Sequence, residues 1–283
     1  MAPSPSLDCR SLLFVPADRP DRVAKAFATP ARLICLDLED AIAPDRKSAA
    51  RASLLGESRA HLGDARAVVR INNLRAAEGL ADLLALREIA VRPLVMIPKV
   101  ADAEHLRIAA GVLGDDWSWI AQIETAGGLE NVREIARSAG VVALILGCVD
   151  LAVELGAENQ AWEPMLWARS RVVHAAALAG GVPVIDSPKI YDLDDEESHR
   201  EECRRSRALG LSGKSAIHPK QLAVIQEVFT PNSEEIRRAR AIVSVYEAQR
   251  GGVALLEGRL VERPTYEAAR RVLDRAGQAD VTP

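Results

Sequence analysis

Short apolar runs recur along the chain, each closed by a charged or polar residue and followed by a stretch whose apolar positions return every three or four residues. Ser11 to Pro16 is the first run, Leu33 to Asp40 the second, Ala67 to Asn72 the third and Pro93 to Lys99 the fourth. Ile120 to Glu124, Val141 to Asp150, Val182 to Asp186 and Gly210 to Pro219 continue the series. Runs of this length read as buried strands, and the segments between them as amphipathic helices. Asp18-Arg19-Pro20 starts a helix over Val23, Ala24 and Phe27, and Pro44-Asp45 opens one through Ala50 and Leu54. Leu80, Leu83, Leu84 and Leu86 mark a third, Asp102 to Val112 a fourth, and Leu129, Val132, Ile135 and Ala136 a fifth. Met165 to Leu178, stopped by Gly180-Gly181, and the charged stretch Asp194 to Leu209 complete the pattern.

Eight strand-helix units by about Gln226 predict a closed (β/α)8 TIM barrel over residues 10–230, since an open doubly wound sheet usually stops sooner. Residues 1–9, rich in Pro and Ser, are expected to be disordered. Residues 231–283 form a C-terminal helical/hairpin extension. In it Ser233 caps a helix through Tyr246, Gly251-Gly252 and Glu257-Gly258 punctuate a hairpin, and Pro264 leads a last helix. So small a piece is expected to cover a barrel mouth, a neighbouring subunit's included, rather than stand alone.

Composition narrows the classes. With 36 basic against 40 acidic side chains, a net charge of -4 and no long basic block, nucleic acid is not the expected partner. No apolar run approaches the ~20 residues of a membrane helix, and the first residues lack the order of a signal peptide, so a cytoplasmic protein is expected. Cys9, Cys35, Cys148 and Cys203 lie far apart, with no CxxC or Cys/His cluster. This points to neither zinc nor a redox pair. Cys35 and Cys148 read as packed small hydrophobes, and core packing accounts for Trp117, Trp119, Trp162 and Trp167 as well as any ligand would.

Parallel strands bring their C-terminal ends to one face, and there stand Glu39, Asp40, Arg70, Lys99, Glu124 and Asp150. Glu124 and Asp150, from neighbouring strands, suit a hard cation such as Mg2+. Position alone leaves open the reading that they only mark loops. Arg70 offers a planar fork for a carboxylate or a developing oxyanion. Glu39 and Asp40 are adjacent, so strand geometry sends at most one to the centre, to take protons or order metal waters; Asp40 alternatively pairs with Lys47 or Arg51. Lys99 raises Schiff-base chemistry, but a cation already supplies the electron sink, and an ion pair is the expected role. Gly127-Gly128 would let backbone approach a ligand, although no nucleotide-binding glycine motif is present. Gly213-Lys214 suggests a phosphate contact, and His218 is read as a buried, hydrogen-bonded histidine.

These motifs together resemble the citrate lyase β-subunit-like proteins of the HpcH/HpaI aldolase superfamily, relatives of malyl-CoA and citramalyl-CoA lyases. The likeness runs from Arg10-Ser11-Leu12-Leu13-Phe14-Val15-Pro16 through Leu36-Asp37-Leu38-Glu39-Asp40-Ala41, Arg70-Ile71-Asn72, Ile97-Pro98-Lys99-Val100, Ile123-Glu124-Thr125 and Leu146-Gly147-Cys148-Val149-Asp150 to Gly213-Lys214-Ser215-Ala216-Ile217-His218-Pro219. It implies Mg2+ on Glu124 and Asp150, Arg70 on the reacting oxygens, and Glu39 and Asp40 around the metal waters. It also implies an acyl-CoA near Arg10, Phe14, Arg70 and Lys214, and a homotrimer or hexamer. A proton-transfer carboxylate is expected in the turn Gly258-Arg259-Leu260-Val261-Glu262-Arg263-Pro264, where Glu262 replaces the family's Asp. The implied activity is Mg2+-dependent cleavage of a 3-hydroxyacyl-CoA, of citramalyl-CoA or malyl-CoA type, into acetyl-CoA and a 2-oxo acid. The alternatives are a citrate lyase β-subunit acting on an acyl carrier protein thioester, a malyl-CoA thioesterase, and a non-catalytic CoA-ester binding protein.

Overall fold

The structure, a computed structural model, describes residues 7–158 and 162–280. Its core is a closed barrel of eight parallel strands in sequence order. They are β1 (Ser11–Pro16), β2 (Leu33–Asp37), β3 (Ala67–Arg70), β4 (Leu94–Ile97), β5 (Trp119–Ile123), β6 (Val141–Leu146), β7 (Val184–Asp186) and β8 (Gly213–Ala216). The helices between them are α1 (Pro20–Phe27), α2 (Lys47–Leu55), α3 (Ala77–Arg87), α4 (Ala103–Leu113), α5 (Ala126–Ala136), α6 (Cys148–Leu155), α7 (Trp162–Leu178) and α8 (Glu196–Leu209). The TIM barrel expected from the hydrophobic pattern is therefore the fold. Caps set several boundaries: the Asp102 side chain accepts from Glu104 N before α4, and Thr125 accepts from Gly128 N before α5.

Two compact units divide at Gln226/Glu227, a point that falls within α9 (Leu222–Phe229). The second contains α10 (Ser233–Ala248), the antiparallel pair β9 (Ala254–Leu256) and β10 (Arg259–Val261), and α11 (Arg263–Asp280). Within it α10 packs on α11, and Tyr246 stacks on Tyr266 with ring centroids 4.6 Å apart. Among the described residues no helix is long and apolar enough to cross a membrane.

The pattern misplaced several details. Ser233 does not cap α10; Asn232 does, in a capping box with Glu235. The strand expected to run to Asp150 stops at Leu146, and α6 begins two residues later. Of the nine residues expected to be disordered, residues 1–6 lie outside the described residues, and Leu7, Asp8 and Cys9 are described. Asp8 takes Arg10 in a two-pronged ion pair (2.9 and 2.6 Å) and also pairs with Arg32, while Cys9 is buried in the barrel floor.

Closure of the barrel depends on β8 lying tight against the entry to β1, with Ser11 facing Lys214 and Leu12 facing Ser215. A Cβ at Gly213 would sit 2.6 Å from Arg10 O and closer still to Cys9 O. Gly213→Ala is accordingly expected to lower the unfolding free energy by about 3 kcal/mol, because only backbone displacement relieves the clash. A chemical-denaturation midpoint equal to that of the parent protein would refute this account of closure.

Candidate active site

Side chains alternate across a strand, so the barrel lumen is built from every second residue. Leu12, Cys35, Val68, Met96, Ile120 and Ile145 are such positions and pack as one apolar cluster. Two residues further along β2, β3 and β5 the same face carries Asp37, Arg70 and Gln122, and the parity then reaches Glu39 and Glu124. The polar layer is the lumen's last layer at the C-terminal face.

Asp37 and Arg70 are direct cross-strand partners. Arg70 Nε and Nη2 donate to Asp37 Oδ1 and Oδ2 at 2.7 and 2.6 Å, a bidentate pair buried on both sides. Its Nη1 lies 3.2 Å from Glu39 Oε2 and 3.5 Å from Asp40 Oδ2, and its guanidinium stands 4.8 Å from the Phe14 ring centroid. Burial works against the charge, but Asp37 and Glu39 outweigh it and hold Arg70 protonated.

Glu124 is 2% exposed. Its Oε1 accepts from Lys99 N at 2.8 Å and its Oε2 from Gln122 Nε2 at 2.5 Å. Burial first, then the neighbouring Glu39 and Asp150 carboxylates, push its carboxyl up to about 8 against the opposing pull of Lys99. Burial also raises Glu39, whose Oε1 accepts from Lys99 Nζ at 2.6 Å while its Oε2 makes no hydrogen bond. Lys99 Nζ further reaches Asp150 Oδ2 at 3.2 Å and Asp40 Oδ1 at 3.7 Å. Burial would neutralise this amine, but the Glu39 hydrogen bond and the surrounding carboxylates raise it above its ordinary value. Lys99 is thus an ammonium in an ion-pair network, as expected, and not a free Schiff-base amine.

Asp150 reaches the site from the first turn of α6, not from a strand end. Ser187, just past β7, holds that turn by accepting from Cys148 N at 3.2 Å. Arg70, Asp37, Asp40, Gln122, Glu124 and Asp150 line one cleft of about 430 Å3, together with Phe14. Among the described residues no three acidic, histidine or cysteine side chains converge at metal-ligand spacing. Two carboxylates are nevertheless what Mg2+ commonly takes from a protein, with water and substrate completing its shell. The raised Glu124 and a single ammonium shared among Glu39, Asp40 and Asp150 mark a place short of positive charge. The residues fit a divalent cation.

Several expected site residues lie elsewhere. Arg10 precedes β1 at the opposite, N-terminal end of the barrel, where it pairs with Asp8. Lys214 is buried behind the barrel wall, paired with Asp186 (3.2 Å) and with Glu202 of α8 (3.3 Å). Burial works to raise the Asp186 carboxyl, but Lys214 and Arg169 outweigh it and hold it at about 2. Neither cation faces the cleft. Glu262 is exposed between β10 and α11 in the second unit. His218 is exposed rather than buried, its Nδ1 accepting from Lys220 N. Gly128 faces Val100 O, so it serves helix packing and not a ligand. Lys47 donates to the Leu38 and Glu39 carbonyls and Arg51 pairs with Glu78 and Asp82, so neither is bonded to Asp40. Trp167 is 61% exposed beneath Arg171, not core. Asp37, Gln122 and Ser187 were not singled out from the sequence; the i, i+2 spacing of Asp37 with Glu39 and of Gln122 with Glu124 would have found the first two.

The HpcH/HpaI aldolase/citrate lyase family matches residues 10–219, and a carbon-carbon bond lyase family of the TIM-barrel fold matches residues 170–280. The chain is 36% identical over 272 residues to a (3S)-malyl-CoA thioesterase of Cereibacter sphaeroides, covering 94% of each. It is 33% identical over 311 residues to an L-malyl-CoA/β-methylmalyl-CoA lyase of the same species, covering 96% of each. Among solved structures it is similar to CitE of Mycobacterium tuberculosis in complex with magnesium, acetoacetate and coenzyme A. That likeness has a TM-score of 0.81 and 34% identity, covering 94% of this chain and 97% of the other.

Asp37→Ala would leave Arg70 buried without its bidentate partner. The unfolding free energy is expected to fall by about 3 kcal/mol, the scale on which broken buried pairs destabilise. A urea titration giving a loss below about 1 kcal/mol would show that Glu39 alone suffices to hold the guanidinium.

Proposed function

Since the chain belongs to the HpcH/HpaI aldolase/citrate lyase family and is a carbon-carbon lyase, we propose that it cleaves a 3-hydroxyacyl-CoA of malyl-CoA or citramalyl-CoA type into acetyl-CoA and a 2-oxo acid. The observation that carries this reading is the meeting of Arg70, Glu124 and Asp150 in one cleft. Glu124 and Asp150 would hold Mg2+, which supplies Lewis-acid stabilisation of charge developing on the substrate oxygens.

The chain's own residues account for the remaining demands. Arg70, fixed by Asp37, meets the substrate carboxylate and the oxygen that becomes the carbonyl. Asp40, the exposed carboxylate of the cleft, takes the hydroxyl proton, while buried Glu39 holds Arg70 and Lys99 in place. As the O–H electron pair becomes a C=O bond, the C–C pair passes to the acetyl thioester as its enolate, which takes up a proton at carbon. We assign that proton to Glu262 of a neighbouring copy, in a trimer or hexamer whose 231–283 segments cover adjacent clefts. Its extra methylene relative to Asp shifts the carboxyl by about one bond length, enough to alter rate.

Thioester hydrolysis is the second reading, favoured by the likeness to a malyl-CoA thioesterase. Product analysis with Mg2+ and the stereoisomers of malyl-CoA and citramalyl-CoA separates the two. Acetyl-CoA plus a 2-oxo acid is expected, with turnover lowered about a thousandfold or more in Glu124→Ala. Free hydroxy acid and CoA with no 2-oxo acid would establish the thioesterase, and inertness toward every CoA ester would favour a carrier-protein thioester.

Mg2+ affinity should also depend on pH. Below about 8 Glu124 keeps its proton and must release it to bind a cation. Affinity therefore rises up to about tenfold per pH unit toward that value and then levels off. Calorimetric titrations with Mg2+ at several pH values, in buffers of different ionisation enthalpy, check both the slope and the released proton. A flat profile with no proton released would show that Glu124 carries no exchangeable proton in this range.

A further inference from the structure

Lys99 touches every acid of the cluster except Asp37. Its backbone N–H donates to Glu124 Oε1, and its ammonium lies 2.6 Å from Glu39 Oε1, 3.2 Å from Asp150 Oδ2 and 3.7 Å from Asp40 Oδ1. Those acids come from the ends of β2 and β5 and from α6, whereas Lys99 comes from the end of β4. The residue sits at φ 51°, in the left-handed region, without being glycine. Glycine would adopt that backbone freely and still present the N–H to Glu124. What the lysine adds at the expense of strain is its charged side chain.

We propose that Lys99 is a positioning residue whose ammonium is the built-in counter-cation of this acid cluster, drawing Glu39 and Asp150 together and competing for Asp150 with the divalent cation. The proposal rests on the assignment of that cation to Glu124 and Asp150. Its consequence is a site assembled in advance that holds its metal loosely, because each cation entering it meets a fixed positive charge. An ordinary structural ion pair predicts the reverse: loss of the ammonium disorders the acids and weakens cation binding.

The test is calorimetric titration of the full chain with Mg2+ alone, without substrate, for the parent, Lys99→Gly, Lys99→Met, Lys99→Arg and Glu124→Gln. Glycine suits the left-handed backbone, so Lys99→Gly removes the ammonium without endangering the fold, and circular dichroism verifies that each variant is folded. Lys99→Gly and Lys99→Met are expected to bind Mg2+ roughly tenfold more tightly, since a like charge a few ångströms away has been removed. Lys99→Arg, which keeps the charge, should stay within about twofold of the parent. Folded glycine and methionine variants that bind Mg2+ no more tightly than the parent overturn the proposal. Undiminished binding by Glu124→Gln would instead overturn the two-acid metal site on which it rests.

Discussion

Carboxylates gathered at the mouth of a barrel must each find a cation or keep a proton, and here Asp37, Glu39, Asp40, Glu124 and Asp150 share Arg70 and Lys99. Most of the site's geometry follows from how that shortage is met. Asp37 takes the Arg70 fork in a two-bond clamp fixed by strand register, which leaves the guanidinium a single orientation. Glu39 divides its oxygens between Arg70 and Lys99, so it links the β2–β3 side of the rim to β4. Glu124, with a main-chain N–H and an amide as its direct donors, is left holding a proton to about 8. A group in that state exchanges its proton for a divalent cation at small energetic cost near neutral pH.

This arrangement was legible in the sequence to the extent that it follows the two-residue period of a strand. Eight apolar runs separated by helical spacing define a barrel, and parallel strands place Glu39, Arg70, Lys99 and Glu124 on one face without further information. Asp37 escaped notice because it lies inside an apolar run instead of at its end, although the same period puts it beside Arg70. Asp150 was assigned to the right face for an incomplete reason. Apolar Val141 to Val149 shows no break in hydrophobicity at Gly147, and only the chain's turn there separates β6 from α6.

The misplaced cations, Arg10 and Lys214, show a different limit. Arg10 stands at the entrance of β1, and its position before the strand already places it on the N-terminal face. Lys214 pairs with a residue on the outer face of β7, where Asp186, Arg169 and Ser206 form a buried polar network between barrel and helices. A charged residue in a strand signals burial with a partner, and the partner's face decides whether that burial serves a cleft or a wall.

The rim of the cleft is divided in a way that bears on which bond breaks. β2, β3 and β5, with the residues just past β2 and β5, contribute Asp37, Asp40, Arg70, Gln122 and Glu124, whereas β1, β6 and the segments after β7 and β8 contribute Phe14, Val15, Ile145, Leu146, Ile190 and Ile217. In a closed barrel ordered by sequence these are opposite arcs, with Arg22, Asp150 and Ser187 the polar residues of the second. Carbon-carbon cleavage requires charge stabilisation at the hydroxyl and carboxylate end, and an acyl enolate sheltered from water long enough to be protonated at carbon. Hydrolysis requires a water activated beside the thioester carbonyl. In the proposed binding mode the hydroxy acid end meets the polar arc and the acyl carbon lies toward the second, where Phe14, Ile145, Leu146, Ile190 and Ile217 surround it and the carboxylate of Asp150 is committed to the cation. For a substrate bound in that sense, the division of the rim suits breaking the carbon-carbon bond better than the thioester.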